Sequence, residues 1–146
     1  MKNLHLLLLI AMSTVLAACS ALGEINNSID YVNQATEHIN KLNTFAEEAP
    51  QLIKNAASDP AINQELETKL ETLKQDIQAF IELNDIPSIA EEIHQELVNK
   101  NEVLLSEINK VLDNGNVALE KLENSQIFTT LNEVTSLMDR IENLGK

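Results

Sequence analysis

Apolar residues recur along this chain at spacings of three, four and seven, and no stretch sustains the two-residue alternation of a strand. Over about 24–48, Ile25, Val32, Ile39 and Ala46 repeat every seven residues, with Ala35, Leu42 and Ala49 three residues after the later members. At 3.6 residues per turn such positions form one apolar stripe, so the spacing predicts a helix with a single buried face. A second stripe, Ile62, Leu66, Leu70, Leu73, Ile77, Phe80 and Ile81, predicts a helix over about 60–84. The third is broader, with Ala90, Ile93, Leu97, Leu104, Leu105, Ile108, Val111 and Leu112 over about 88–113. A short helix is expected over about 117–123 and a last one over about 126–144, where Ile127, Leu131, Val134, Met138, Ile141 and Leu144 share a face.

Helix breakers punctuate this pattern. Gly23, Pro50, Pro60, Pro87, Gly115 and Gly145 are all the glycines and prolines of the chain, and each falls between periodic segments. Asp59-Pro60 combines an N-cap acceptor with a residue whose fixed φ suits the first helical turn. Ser88-Ile89-Ala90-Glu91 has the spacing of a capping box, in which serine and glutamate each satisfy the other's backbone N–H. Glu37 and Lys41, Glu65 and Lys69, and Glu96 and Lys100 place an acid four residues before a base, so these pairs are expected on solvated faces.

Four amphipathic helices joined by short loops cover one another's stripes in an up-down bundle with left-handed, coiled-coil-like packing. The expected fold is therefore all-α: a compact up-down bundle of about four helices plus one short helix over residues 24–146. An extended, dimerising coiled coil is the rival architecture. The breakers cut the stripes into pieces too short to favour it.

The N-terminus departs from the pattern. MKNLHLLLLIAMSTVLAAC has one early Lys2, an apolar run from Leu4 to Leu16 and then two small residues, the layout of a secretory signal. Its apolar core is short for a bilayer span of ~20 residues. Leu16-Ala17-Ala18-Cys19 resembles a bacterial lipobox, so residues 1–18 are expected to be cleaved and Cys19 to carry a diacylglyceryl group. That also accounts for a lone cysteine with no disulfide partner in an exported chain. Each buried methylene contributes about 0.8 kcal/mol, and two acyl chains make a stable anchor where one is marginal. Residues 19–23 then form a short tether, which keeps the bundle within about 18 Å of the headgroups.

Charge narrows the partners. The chain carries 10 basic and 23 acidic residues, a net charge of −13, and loss of Lys2 with the signal makes the remainder one unit more negative. Such a body is repelled by nucleic acid phosphates, so nucleic acid is not an expected partner. A cationic peptide or protein is, alongside the membrane reached through Cys19. Tyr31, Phe45, Phe80 and Phe128 are the only aromatic residues, too few for base- or sugar-stacking platforms.

One constellation offers chemistry. Glu91-Glu92-Ile93-His94 contains the Glu-x-x-His spacing of di-iron carboxylate bundles, which need the motif twice plus two further glutamates. Here it occurs once, and Glu91 also belongs to the capping box. Glu91 and His94 are therefore remote metal candidates only, and a metal-binding bundle is the alternative to a non-enzymatic binding or scaffold module; no cofactor is expected. His38 follows Glu37 directly and so does not share its face. His94 and Asn101, seven apart in line with Ile108, read as a polar edge of the core satisfied by neighbouring chain or water. Asp113-Asn114-Gly115-Asn116 lacks the ligand spacing of a calcium loop and reads as a turn. No nucleophile has a paired base, and no Gly-rich phosphate loop is present, so an enzyme is not expected.

The runs NNSIDYVNQATEHIN (26–40), FAEEAPQL (45–52), PSIAEEIHQELV (87–98) and ENSQIFTTLNEVTSLMDRIENLG (123–145) resemble a family of small lipoproteins of unknown function from endospore-forming Gram-positive bacteria. The resemblance implies a lipid-anchored protein outside the cell membrane. It brings no activity, ligand or catalytic residue with it.

Overall fold

The structure, a computed structural model, describes residues 2–113 and 115–145, with side chains described over 26–112 and 115–145. The residues of the expected lipobox, Leu16, Ala17, Ala18 and Cys19, thus lie outside the described side chains, as does Ile25 of the first stripe. In chain order the elements are α1 (Lys2–Ala56), α2 (Pro60–Ile81), a 3-10 turn (Ser88–Ala90), α3 (Glu91–Val111), β1 (Leu112–Asp113), β2 (Asn116–Val117), α4 (Leu119–Glu123), α5 (Ile127–Thr135) and α6 (Met138–Asn143). α1 packs on α2 and on α5 with α6, while α3 packs on α2 and α5. These contacts close a four-cornered ring, the helical bundle expected from the stripes.

The stripes form its centre. Leu66, Leu70, Leu73, Ile77 and Phe80 of α2 are buried, as are Ile93, Leu97, Leu104, Ile108 and Val111 of α3 and Ile127, Leu131 and Val134 of α5. On α1 the buried face is wider than the seven-residue repeat implied. Beside Ala35, Ile39, Leu42 and Ala49 it includes Tyr31, His38 and Phe45, themselves a seven-residue series.

Several boundaries differ from the sequence expectation, each for a physical reason. α1 continues through Gly23 and Pro50 instead of spanning about 24–48. An interior proline removes one backbone hydrogen bond and costs ~3 kcal/mol. Continuing to Ala56 buries Ile53 and Ala56, which offsets much of that cost. Asp59 does cap α2, its Oδ1 accepting from Ala61 N at 2.9 Å. The expected box at Ser88 does not form. Neither the 3-10 turn nor α3 has a side-chain cap; instead Ala90 N donates to Pro87 O at 2.8 Å, and the tighter turn takes the capping role.

The turn expected at 113–116 is the tip of a two-residue antiparallel hairpin pairing Leu112 with Val117 and Asp113 with Asn116, and Asn114 lies outside the described residues. Gly115, at φ 82°, supplies the left-handed conformation such a tip requires. Glu67 Oε1 of α2 accepts from Val117 N at 3.0 Å and pins the hairpin to the bundle. The single last helix expected over 126–144 is two, α5 and α6. Leu137 N turns to Val134 O, and the Ser136 hydroxyl to Glu133 O at 2.6 Å, so local bonds compete with the helical ladder there.

Candidate functional site

The centre of the bundle holds polar groups among its aliphatic stripes. Asn101 of α3 is fully buried, and its Nδ2 donates to Leu97 O at 2.9 Å. That bond fixes the amide so that Oδ1 faces His38 Nε2 of α1, 3.0 Å away. His38, only 5% exposed, must therefore carry its proton on Nε2. Its ring stacks on Phe80 of α2, with centroids 4.2 Å apart and planes within 8°. Burial lowers the imidazole from 6.5 to about 4, with the Asn101 bond and Asp76 pulling the other way.

A second rung lies one heptad away. Tyr31 OH of α1 meets His94 Nδ1 of α3 at 3.3 Å, and their rings sit edge to face at 5.6 Å. Burial pushes the Tyr31 phenol up and the His94 imidazole down. The phenol is thus the donor, and the neutral His94 ring accepts at Nδ1 and keeps its proton on Nε2. Both rungs join residues 63 apart in sequence, 31 with 94 and 38 with 101, so α1 and α3 run parallel and meet across the bundle.

This places the candidates singled out by sequence. His94 is half-buried at the edge of the core, as expected, and bonds to Tyr31, whereas Asn101 is fully buried inside it and bonds to His38. His38 is the residue that sequence reasoning passed over. The signal was present: 31, 38 and 45 repeat at seven, as 94, 101 and 108 do. Glu91 stands exposed at the start of α3, and among the described residues no group of three His, Cys, Asp or Glu side chains gathers to hold a metal.

Among the described residues, a broad concavity of about 730 Å³ lies between α1 and α2, larger than others of 180, 190 and 360 Å³. Phe45 and Leu73 form its apolar floor, and Thr36, Thr44, Thr68 and Thr72 line it. The hydroxyls of Thr44, Thr68 and Thr72 are bonded to their own helix, each to the carbonyl four residues back at 2.9 Å. Two ion pairs span it, Lys41 with Asp76 at 3.3 Å and Lys69 with Glu48 at 2.8 Å. Lys41 also pairs with Glu37 at 3.2 Å, as the sequence spacing predicted, and that hydrogen bond is the main reason its ammonium is held above the usual lysine range. The other two expected pairs are replaced by bonds between helices: Lys69 reaches Glu48 and not Glu65, Lys100 reaches Glu133 at 2.9 Å, and Glu96 takes Arg140 at 2.6 Å. In a bundle the neighbouring helix lies as near as the next turn, so the same long side chains have two choices.

Among residues with described side chains, no helix is long and apolar enough to cross a membrane. Comparison with known proteins then places the chain. Residues 31–144 match the family of unknown function DUF6376. A curated relative, "Uncharacterized lipoprotein YybP" of Bacillus subtilis (strain 168), is 34% identical over 131 residues, 88% of either chain. No solved structure matches. Neither the family description nor the relative's name carries an activity. The chain belongs to this family of Bacillus-type lipoproteins, whose function is unknown.

Proposed function

We propose that the protein is an extracytoplasmic lipoprotein, cleaved before Cys19, held at the outer leaflet of the cell membrane by a diacylglyceryl group on that residue, and that its bundle is a non-enzymatic binding or scaffold module for a cationic peptide or protein segment. The lipobox sequence and the relative's lipoprotein name support the anchoring. The observation that carries the binding reading is the groove between α1 and α2. It has an apolar floor, threonine walls of which Thr44, Thr68 and Thr72 donate to their own helix while the Thr36 hydroxyl has no partner, and carboxylates at Glu37, Glu48 and Asp76. Those carboxylates face lysines in exposed ion pairs, which are worth ~1 kcal/mol or less each. A basic segment can displace Lys41 and Lys69 from them at small cost, while its apolar residues cover Phe45 and Leu73. The net charge of −13, one unit more negative once Lys2 is removed, steers such a partner toward the surface.

The test is crosslinking in intact cells that make the protein, in wild type and in the Glu37→Lys, Glu48→Lys variant. A particular basic partner recovered with wild type and lost with the variant is the expected result. Recovery of abundant neighbours alone, unchanged by charge reversal, contradicts the reading. No specific observation favours the metal alternative. Among the described residues the half-motif at Glu91 and His94 gains no further ligand, and His94 Nδ1 is engaged by Tyr31.

A further inference from the structure

The bundle centre contains a titratable group that the binding reading does not use. The geometry points to His38 and Asn101 as an acid-released latch: the neutral imidazole holds α1 to α3 through the middle of the bundle, and protonation of His38 loosens α1 from its partners.

The argument begins with what the ring touches. One face of His38 lies on Phe80, its Nε2–H is satisfied by Asn101 Oδ1, and Asn101 is held in turn by Leu97 O. A proton added at Nδ1 places a full charge on a ring that is only 5% exposed. The Nε2–H keeps its bond to Asn101 Oδ1 in either state, and that bond favours the cation, so the release comes from burial of the charge and not from loss of the bond. The charged and titratable groups around it come from three helices. On α1 they are Glu37 and Lys41, with Tyr31 one rung away; on α2, Asp76; on α3, His94. Among the described residues, α5 and α6 bury only Ile127, Thr130, Leu131, Val134 and Ile141 as members of the core, none of them titratable.

Asp76 is the one nearby carboxylate on another helix that favours the cation, but it is shared with Lys41 at 3.3 Å, and Lys41 disfavours it. Attraction of the imidazolium to the Phe80 ring offsets part of the lost hydration. Burial outweighs these and the Asn101 bond, and so lowers the imidazole from 6.5 to about 4. In the unlatched state it regains its ordinary affinity for protons, so acid favours that state. The consequence reaches the surface. A cavity of about 180 Å³ touching His38 is walled by Glu37, Lys41 and Asp76, which also line the groove between α1 and α2. The latch itself stands whether or not that groove holds a partner.

The test is amide hydrogen exchange of the purified full chain in detergent micelles between pH 7 and pH 4.5, corrected for the intrinsic pH dependence of exchange, in wild type and His38→Gln. With an unlatched value of 6.5 and a latched value of about 4, opening at pH 4.5 is favoured roughly 60-fold over its value at pH 7. Protection around Ile39 and Leu97 should fall by about that factor in wild type and stay level in His38→Gln. Equal loss in both proteins assigns the effect to carboxylates and overturns the latch. Should His38→Gln fail to fold, the imidazole of wild-type His38 is followed directly by NMR. A midpoint near 4 accompanied by loss of protection supports the latch. A midpoint near 6.5, or titration with protection retained, overturns it.

Discussion

Removing the Asn101 side chain leaves the His38 Nε2–H buried with no acceptor, and a buried donor without a partner costs about 1–3 kcal/mol. Asn101→Ala is therefore expected to lower the melting temperature at pH 7 by several degrees. Adding His38→Leu to that variant removes the orphaned donor and should recover part of the loss. A double variant less stable than the sum of two independent losses contradicts the pairing. The same imidazole sets a pH dependence. Its folded value lies below its unfolded one, so the stability it contributes is complete above about pH 6.5 and is lost as pH falls toward 4. The full change is about 3 kcal/mol, read from denaturant unfolding at stepped pH, and it should be absent in His38→Leu. None of this was legible from hydrophobic pattern alone, because Tyr31 and His38 count as polar in a stripe. What betrays them is that two seven-residue series, on α1 and on α3, carry their polar members at matching positions. An up-down bundle already makes α1 and α3 parallel, but which positions meet, 31 with 94 and 38 with 101, is set by the packing.

Helix existence and helix boundaries answer to different physics. The stripes on α2, α3 and α5 were legible because each buries a row of apolar side chains, five on α2, five on α3 and three on α5, and tertiary packing of such rows outweighs local preference. Ends are decided by one or two bonds each. Asp59 behaves as its sequence predicts, and Asp59→Ala should cost about 1 kcal/mol of stability by loss of the bond to Ala61 N. Pro50 does not: tertiary burial of Ile53 and Ala56 carries α1 past a residue that breaks helices in isolation. Pro50 is exposed and lacks the N–H that would serve the carbonyl one turn back. Pro50→Ala should therefore raise stability by roughly 1–3 kcal/mol, measured by thermal unfolding. A destabilised variant means that the proline sets a bend the packing needs. The break at Ser136 and Leu137 was invisible for a similar reason, since the stripe on 126–144 continues across it.

For the molecule as a whole, the proposed function rests on two parts of the sequence: an N-terminal run with the layout of a secretory signal, which carries the proposed location, and an acidic bundle, whose charge carries the proposed partner chemistry. The groove between α1 and α2 was not legible, because it exists only once two helices stand side by side with threonines facing each other and lysines choosing partners across the gap. Family membership agrees with the lipoprotein reading. The claim on which the functional account rests is that one thiol ties this bundle to lipid. The most direct measurement is the intact mass of the protein extracted from the membrane fraction of cells that make it. The account predicts a chain beginning at Cys19 and heavier than its sequence by a diacylglyceryl group. An unmodified chain that still begins at Met1 contradicts it.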